Sequence, residues 1–148
     1  MANYAQNRKA YFDYEILEKY ECGIELLGTE VKSVRGGRMS LDGAFVIIRG
    51  AEAFIINANI PPYQNANAPK DYDPLRNRKL LLTKKEIAEL GGNEKNKALT
   101  IVPISVYNKG RKIKVEIALV KGKKKYDKRE TTKKRETDRE LRREFKGR

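Results

Sequence analysis

LTIVPISVYNKGRKIKVEIALV, residues 99–120, contains the clearest β-hairpin signal in the sequence. Strand-favouring residues fill 99–107 and 112–120, and Asn108-Lys109-Gly110 between them is typical of a tight turn. In the second strand Ile113, Val115, Ile117 and Leu119 alternate with Lys112, Lys114 and Glu116. Because successive side chains of a strand point to opposite faces, one face is predicted to be apolar and the other solvated and basic.

Further strands are predicted upstream of this hairpin. Residues 11–18, 20–27, 41–48 and 52–57 are rich in Tyr, Phe, Ile, Leu and Val. Gly23 interrupts the second of these strands and predicts a bulge or a close approach of the backbone. Residues 49–51 predict a short hairpin connection between the last two strands. We interpret residues 3–9, at the start of the chain, as a loose arm.

A first helix is predicted over residues 29–36. Thr29 can accept hydrogen bonds from the free amide groups of the first turn, and Glu30 suits the positive end of the helix dipole. Lys32 and Arg35 share a face that is predicted to be exposed to solvent. Gly36-Gly37 then supplies a stop signal.

A second helix is predicted after a long loop. Residues 59–77 are dominated by Pro, Asn and Ala, and a loop of this length in a compact domain is usually functional or mobile. Thr83 and Glu86 have the spacing of a capping box, which predicts the start of the helix. Gly91-Gly92 predicts its end.

These elements indicate a mainly β fold with short helices. Six short strands and two helices are predicted, mostly with antiparallel connections. Strands of this number must hide their edges, and closure into a small barrel is the most economical way to do so. We therefore predict an OB-like closed antiparallel β-barrel with peripheral α-helices. The alternative is an open α+β sheet covered on one face.

The charge of the chain changes abruptly near its C-terminal end. Residues 121–148, which begin KGKKKYDKRET, hold fourteen Lys and Arg against six Asp and Glu, whereas residues 1–120 hold nineteen against fourteen. Apolar side chains are scarce after this point, and ordering each residue costs about 1–2 kcal/mol. We predict one folded domain, residues 1–120, and a basic tail, residues 121–148, that is disordered when free and becomes helical on a polyanion.

Composition argues against several classes of function. The sequence has no His, so the usual general base near neutral pH is missing. The single Cys22 can form no internal disulfide and cannot build a metal cluster alone; we interpret it as a structural thiol. The glycine pairs match no Walker or dinucleotide-binding loop. We expect no catalytic residues, no metal and no cofactor.

Location and partner class follow from the same composition. The N-terminal residues contain no apolar signal core, and no run of the sequence approaches membrane-spanning length, which predicts a cytoplasmic protein with no membrane partner. The net charge of +13 predicts a polyanionic partner. Nucleic acid is favoured over a membrane surface or an acidic protein, since the tail lacks the bulky apolar stripe of interfacial helices.

Basic and aromatic residues in the folded part favour RNA. Arg76, Arg78 and Lys79 precede the segment that contains Leu81, and Lys112 and Lys114 line the solvated strand face. Lys and Arg bind phosphate, while tyrosines can stack on unpaired bases. Each feature also has a plainer explanation. The lysines can belong to an ordinary solvated face, and the tyrosines to the core or its rim.

Five segments match a family pattern in order and spacing. They are GIELLGTEVKSVR (23–35), IPPY (60–63), DPLRNRKLLL (73–82), TKKEI (83–87) and KGKKKYDKRET (121–131). Together they closely resemble the SsrA-binding protein family, also called small protein B. The resemblance implies an OB-like barrel that acts in bacterial trans-translation. Such an adaptor binds the tRNA-like domain of transfer-messenger RNA, delivers it to stalled ribosomes and catalyses nothing.

The resemblance also assigns residues to two surfaces. The RNA-binding face would contain Asn7, Tyr14, Glu21, Phe45, Leu81 and Lys114, to which the charge pattern adds Arg78, Lys79 and Lys112. The tail would enter the decoding centre and the empty mRNA channel with Gly122, Lys123, Lys124, Tyr126, Asp127, Lys128 and Arg129. Glu21 is interpreted as an acceptor for a base edge or a ribose 2′-OH, or as a carboxylate that merely orients a cation. Phe45 stands where a Tyr is common in the family, so stacking is its expected role.

Other functions remain open at this point. The chain could be a ribosomal or translation-factor barrel that binds ribosomal RNA, which shares all of the electrostatic features. An enzyme that hydrolyses RNA is a third, less favoured hypothesis. In the adaptor hypothesis the partners are transfer-messenger RNA, the ribosome and its small-subunit RNA, and the protein is expected to be a monomer.

Overall fold

The computed structural model of the chain describes residues 3–63, 71–94 and 98–122. Strands and short helices follow one another along it. In chain order they are β1 Asn3–Gln6, α1 Arg8–Asp13, β2 Tyr14–Ile24, α2 Gly28–Arg35, β3 Phe45–Arg49, β4 Glu52–Ile56, β5 Arg78–Leu81, α3 Lys84–Glu94, β6 Leu99–Lys109 and β7 Lys112–Gly122. No helix in these three ranges is long and apolar enough to cross a membrane.

The antiparallel strands close into a ring. Six of them pair in the order β3-β4-β5-β2-β7-β6, β6 then pairs with β3, and β1 adds to β6. The β6–β7 and β2–β7 ladders run along nearly the full length of β7. Two of the strand pairings are short. β3 pairs with β6 only at Val46–Ile101, and β2 pairs with β5 only at Gly23–Leu81 and Ile24–Leu80. The predicted mainly β, closed architecture with peripheral helices is confirmed.

The core lies inside the ring, and its composition follows the alternation of the long hairpin. Val115, Ile117 and Leu119 are buried there, as predicted from their spacing. At the end of the hairpin away from its turn, the opposite face of the two strands is also buried. A second cluster there consists of Ala10, Val102, Ile104, Ala118 and Val120. The small side chains of Ala10 and Ala118 let α1 lie against the outside of the sheet.

The first residues differ from the prediction. Residues 3–9 are not a loose arm, because β1 pairs with β6, and the backbone N–H of Asn7 donates to the carbonyl of Ile104 at 2.8 Å. The predicted strands at 11–18 and 20–27 are instead α1 followed by one long strand, β2. Burial of Ala10 against the second cluster outweighs the strand propensity of its aromatic neighbours.

The bulge and the close approach predicted at Gly23 are separate features. The β2–β7 register shifts between Ile16 and Glu18, which leaves Leu17 43% exposed. Gly23 itself is a position of close approach, because a Cβ there would lie 3.3 Å from Leu81 Cβ. Any side chain at position 23 would therefore push against the neighbouring strand.

Both predicted helices are present, but the first residue and the capping residue of α2 differ from the prediction. α2 begins at Gly28, and the cap comes from Glu30 rather than Thr29, since the Glu30 carboxylate accepts from the Leu27 backbone N–H at 2.8 Å. The capping box of α3 is confirmed. Thr83 Oγ1 accepts from the Glu86 N–H at 3.2 Å, and the Glu86 carboxylate accepts from the Thr83 N–H at 3.0 Å.

The two glycines of α3 do not end it. The helix continues through Gly91-Gly92 to Glu94. Leu90 is fully buried, and a Cβ on Gly91 would lie 3.5 Å from Ile48 Cγ2. This close packing on β3 outweighs the weak helix propensity of glycine.

The long hairpin is confirmed, but its turn is at residues 110–111 instead of the predicted 108–110. Lys109 pairs with Lys112, so the turn is Gly110-Arg111, and Gly110 has the positive φ of +63° that glycine tolerates. At its far end β7 extends past the predicted limit of Val120, because Lys121 pairs with Glu15 and Gly122 with Tyr14. The remainder of the predicted tail, residues 123–148, lies outside the described residues.

Candidate nucleic-acid interface

A groove of about 360 Å³ lies where α2, β2, β5 and β7 meet. Its lining combines apolar and cationic side chains. Gly23, Ile24, Leu26, Val31, Leu81 and Ile113 supply the apolar part, and Arg35, Arg111, Lys112 and Lys114 supply the cations. Three predicted RNA contacts, Leu81, Lys112 and Lys114, are therefore brought together from two separate strands.

Gly23 explains how these side chains meet. It is the cross-strand partner of Leu81 on β5 and of Lys114 on β7. Because Gly23 has no side chain, Leu81 can lie over the β2 backbone, where it stays 49% exposed. An exposed leucine held beside a lysine gives the groove an apolar surface next to a cation of the kind that can bind phosphate.

Two arginines of the groove were absent from the predicted site. Arg35, on the last turn of α2, donates from Nη2 to the backbone carbonyl of Arg111 at 2.9 Å. This bond ties the helix to the β6–β7 turn. The sequence carried a signal for Arg35, since it was predicted to be exposed on α2, but nothing in it placed α2 beside this turn.

Glu21 lies on β2, two residues from Gly23, and its carboxylate has two partners. The Tyr107 hydroxyl donates to Oε2, and Lys109 Nζ lies 2.8 Å from Oε1. The bonds from Lys109 and then Tyr107, with Lys114 nearby, hold the pKa of Glu21 below its usual value. Burial and the Glu21 carboxylate raise the pKa of Tyr107, which stays a hydrogen-bond donor.

This arrangement bears on the two interpretations of Glu21. The carboxylate does orient a cation, Lys109, as the plainer interpretation expected. It also stays partly exposed, and each carboxylate oxygen can accept more than one hydrogen bond. Glu21 can therefore still accept a hydrogen bond from a bound base or ribose.

Arg78 is a correction to the predicted site. Its side chain is 0% exposed, so it cannot serve as a phosphate-binding group on the surface. It forms an ion pair with Glu30, with Nη2 2.6 Å and Nε 2.8 Å from Oε2. Its neighbour Lys79 is partly exposed, but it does not line the groove and lies 3.7 Å from Glu52 Oε1.

Glu30, Tyr72, Arg76 and Arg78 form a hydrogen-bonded cluster, here called the Glu30 cluster. It joins α2 to the segments on either side of residues 64–70. Arg76 also binds the Glu30 carboxylate, and the Tyr72 hydroxyl donates to the carbonyl of Ile60 at 2.6 Å. Arg78 Nη1 donates to the carbonyl of Ala58 at 2.7 Å. Burial alone would raise the pKa of Glu30, but the hydrogen bonds from Arg76, the Leu27 backbone and Arg78 outweigh it and lower the pKa.

Three other predicted contacts lie away from the groove. Asn7 is 8% exposed, and its side-chain amide donates to the carbonyl of Pro103 at 3.1 Å, which is a structural role. Tyr14 packs partly against the second cluster. Phe45 begins β3 and is half-buried. The structure does not bring these three residues together with Leu81.

Of the tail residues predicted to enter the decoding centre, the structure describes only Gly122. Gly122 is the last residue of β7. Lys123, Lys124, Tyr126, Asp127, Lys128 and Arg129 lie outside the described residues.

Cys22 is 1% exposed, with Sγ 3.4 Å from the carbonyl of Val115. Burial raises the pKa of its thiol to about 12, so it packs as an apolar residue.

The fold and the groove define a class of protein. It is a small, basic, closed antiparallel β domain that presents an open groove lined by four cations and an exposed apolar side chain. An open surface of this kind suits a large polyanion better than a small molecule, for which an enclosed pocket is usual.

Comparison with known proteins identifies the family. Residues 4–147 match the family model described as SmpB protein. The SsrA-binding protein of Sulfurihydrogenibium sp. is 55% identical over 97% of this chain and 93% of its own length. The SsrA-binding protein of Thermosynechococcus vestitus is 49% identical over 97% of this chain and 95% of its own length. The chain belongs to the SmpB family of SsrA-binding proteins, which confirms the resemblance found in the sequence.

A solved structure supports the same assignment. It comes from work described as "tmRNA-SmpB: a journey to the center of the bacterial ribosome". The match has a TM-score of 0.68 and 42% identity, and it covers 86% of this chain and 92% of the solved one.

Proposed function

We propose that this chain is an RNA-binding adaptor of ribosome rescue. It binds the tRNA-like domain of transfer-messenger RNA through the groove and delivers that RNA to stalled ribosomes. The observation that carries the proposal is the convergence of Leu81, Lys112 and Lys114 at one groove, in a chain whose relatives are named SsrA-binding proteins. The proposal assigns no catalytic step and no cofactor to the chain, and it places its action in the bacterial cytoplasm.

The groove supplies the two kinds of contact that folded RNA requires. Arg35, Arg111, Lys112 and Lys114 can bind successive phosphates and so position the RNA backbone. Leu81 gives an apolar surface for an exposed base. Glu21, two residues before Gly23 on β2 and outside the lining of the groove, can accept a hydrogen bond from a base edge or a 2′-OH, which adds selectivity for RNA.

Replacing both Lys112 and Lys114 with Ala is expected to weaken binding of the tRNA-like domain and to flatten its salt dependence. Each lost lysine–phosphate contact should reduce the slope of log affinity against log salt by about 1. Affinity would be measured by filter binding or anisotropy over a salt series, with ordinary tRNA and duplex RNA as competitors. Lys79→Ala is the matched control, since Lys79 pairs with Glu52 outside the groove.

An unchanged slope in the double variant would contradict the assignment of the groove. If ordinary tRNA or duplex RNA competed as well as the tRNA-like domain, the ribosomal-protein hypothesis would be favoured instead. An equal loss for Lys79→Ala would mean that general surface charge, rather than the groove, determines affinity.

The affinity for RNA is also expected to fall at low pH, when the carboxylate of Glu21 becomes protonated. The pKa of this carboxylate is lowered in the folded protein, so Glu21 stays ionised as pH falls through its usual value and protonates only below it. In Tyr107→Phe one of the hydrogen bonds that lower this pKa is lost. The loss of affinity on acidification should therefore occur at higher pH in the variant.

The measurement is the dissociation constant of the tRNA-like domain between about pH 3 and 7, a range that extends below the usual pKa of a glutamate, with circular dichroism to confirm folding at each pH. Glu21→Gln should remove this pH dependence. If Glu21→Gln kept the loss of affinity on acidification, Glu21 would not be the group that causes it. Identical profiles for the unmodified protein and Tyr107→Phe would contradict the effect of the Tyr107 hydroxyl on the pKa of Glu21.

A further inference from the structure

Tyr63 lies on the surface beside α2, outside the groove. Its side chain belongs to the IPPY segment, and the residue is 40% exposed. Lys32 Nζ and Arg38 Cζ each lie 5.9 Å from the centroid of its ring. An accessible aromatic ring with two cations close to it in space has the composition of a site that stacks on a base and holds its phosphate.

The backbone that carries this ring is fixed in place. Ser33 Oγ donates to the carbonyl of Pro61 at 2.7 Å, and Arg38 Nη1 donates to the carbonyl of Tyr63 at 3.0 Å. Two consecutive prolines, Pro61 and Pro62, restrict the chain further. The backbone at Tyr63 is therefore positioned before any ligand arrives, which lowers the entropic cost of binding.

Helix α2 contributes one residue to the groove and another to the surroundings of the Tyr63 ring. Arg35 of α2 lines the groove, while Lys32, three residues earlier, approaches Tyr63. The segment VKSVRGGR, residues 31–38, contains three Lys and Arg and no Asp or Glu. Lys32, Arg35 and Arg38 therefore connect the groove to Tyr63 by way of α2, and the sequence has no acidic residue between them.

We propose that Tyr63, Lys32 and Arg38 form a second RNA contact that extends the groove across α2. An unpaired base of the tRNA-like domain stacks on the Tyr63 ring, and Lys32 and Arg38 bind the adjacent phosphate. The inference rests on the proposed function, because it requires that this RNA occupies the groove. Continuity through α2 favours the RNA bound in the groove over a second, separate RNA.

The first test compares the affinity of three variants for a transcribed tRNA-like domain. Tyr63→Ala is expected to bind roughly tenfold more weakly, within the range measured for loss of one stacked base. Tyr63→Phe keeps the ring and should bind within about twofold of the unmodified protein. Tyr11→Ala is the matched control, since Tyr11 is 45% exposed and has Lys19 Nζ 5.6 Å from its ring centroid, but belongs to α1.

The outcomes separate this inference from the proposed function. If the unmodified protein does not prefer the tRNA-like domain, the proposed function fails. If it does, and Tyr63→Ala binds equally well, only the second contact is wrong. Equal losses in Tyr63→Ala and Tyr11→Ala would also overturn the inference, because any exposed tyrosine near a lysine would then contribute.

A fluorescent reporter tests stacking at this one position. The chain contains no Trp, so Tyr63→Trp creates a single indole. Addition of the tRNA-like domain should quench its emission, with a midpoint equal to the dissociation constant measured by filter binding. Unchanged emission at saturation would overturn the inference. Quenching by ribosomes that lack transfer-messenger RNA, but not by the tRNA-like domain, would overturn the assignment of the base to that RNA.

Discussion

Glu30→Gln is expected to destabilise the folded protein by about 3–5 kcal/mol, the usual cost of removing one partner of a buried ion pair. Arg78 is 0% exposed and Glu30 is 1% exposed, so neither can turn to water when the other is lost. The amide of Gln cannot balance the charge of Arg78. A cation would be left in the interior with only carbonyl and hydroxyl partners.

The effect should extend to the loop segments, because Glu30 also binds Arg76 and Tyr72. Residues 58–62 and 71–78 depend on these bonds for their position beside α2. Since Glu30 has a lowered pKa, its stabilising contribution is present above the usual pKa of a glutamate and is lost as pH falls through the folded value. Glu30→Gln should therefore show a weaker dependence of stability on pH in the acid range.

Urea unfolding of the unmodified protein and the variant measures this loss. Glu52→Gln is the matched control, because Glu52 is exposed and its pair with Lys79 spans 3.7 Å. An exposed pair of this kind contributes about 0–1 kcal/mol. A loss below about 1 kcal/mol for Glu30→Gln would contradict the argument, since it would mean that the backbone carbonyls of Ala58 and Pro74 suffice to stabilise the Arg78 cation.

A chain that ends at Gly122 is expected to bind the tRNA-like domain with nearly full affinity but to lose all tagging of stalled products. The removed residues 123–148 hold thirteen Lys and Arg against six Asp and Glu, and the family resemblance assigns them to the decoding centre and the mRNA channel. The groove residues all lie before the cut. The cut is made after Gly122 because Lys121 and Gly122 still pair with β2.

Tagging would be measured in a translation system stalled on an mRNA without a stop codon, after thermal unfolding has confirmed that the shortened chain is folded. A second chain with the sequence of residues 123–148 scrambled keeps the same charge. If the scrambled tail supported tagging, the tail would act only as a polycation. If the shortened chain supported tagging, the division of roles between domain and tail would be wrong.

The sequence predicted those features that depend on local patterns. Alternation in residues 112–120 identified the inner face of β7, and the Thr83–Glu86 spacing identified the start of α3. The charge pattern predicted Lys112 and Lys114 as RNA contacts, and the family resemblance predicted Leu81. The fold brings all three to one groove, and their contact with RNA stays a prediction.

The features that the sequence did not predict depend on distant partners. Arg78 and Lys79 are neighbours on β5, and the alternation of the strand places Arg78 on the inner face and Lys79 on the outer face. The sequence did not reveal the partner of the inner cation, Glu30, which lies 48 residues away and forms the buried ion pair with Arg78. Residues 8–13 became a helix because Ala10 meets a second apolar cluster that no periodicity upstream revealed.

Strand β7 also fixes a distance. Lys112 and Lys114 lie at its first residues, and Gly122, where the chain passes into the basic segment, is its last. Ten steps of about 3.3 Å place these two ends roughly 30 Å apart. Because β2 and β6 pair with β7 along nearly its whole length, this spacing cannot shorten without breaking both ladders. In the proposed function β7 is therefore a rigid spacer, which sets the separation between the RNA in the groove and the point where the C-terminal segment leaves the domain.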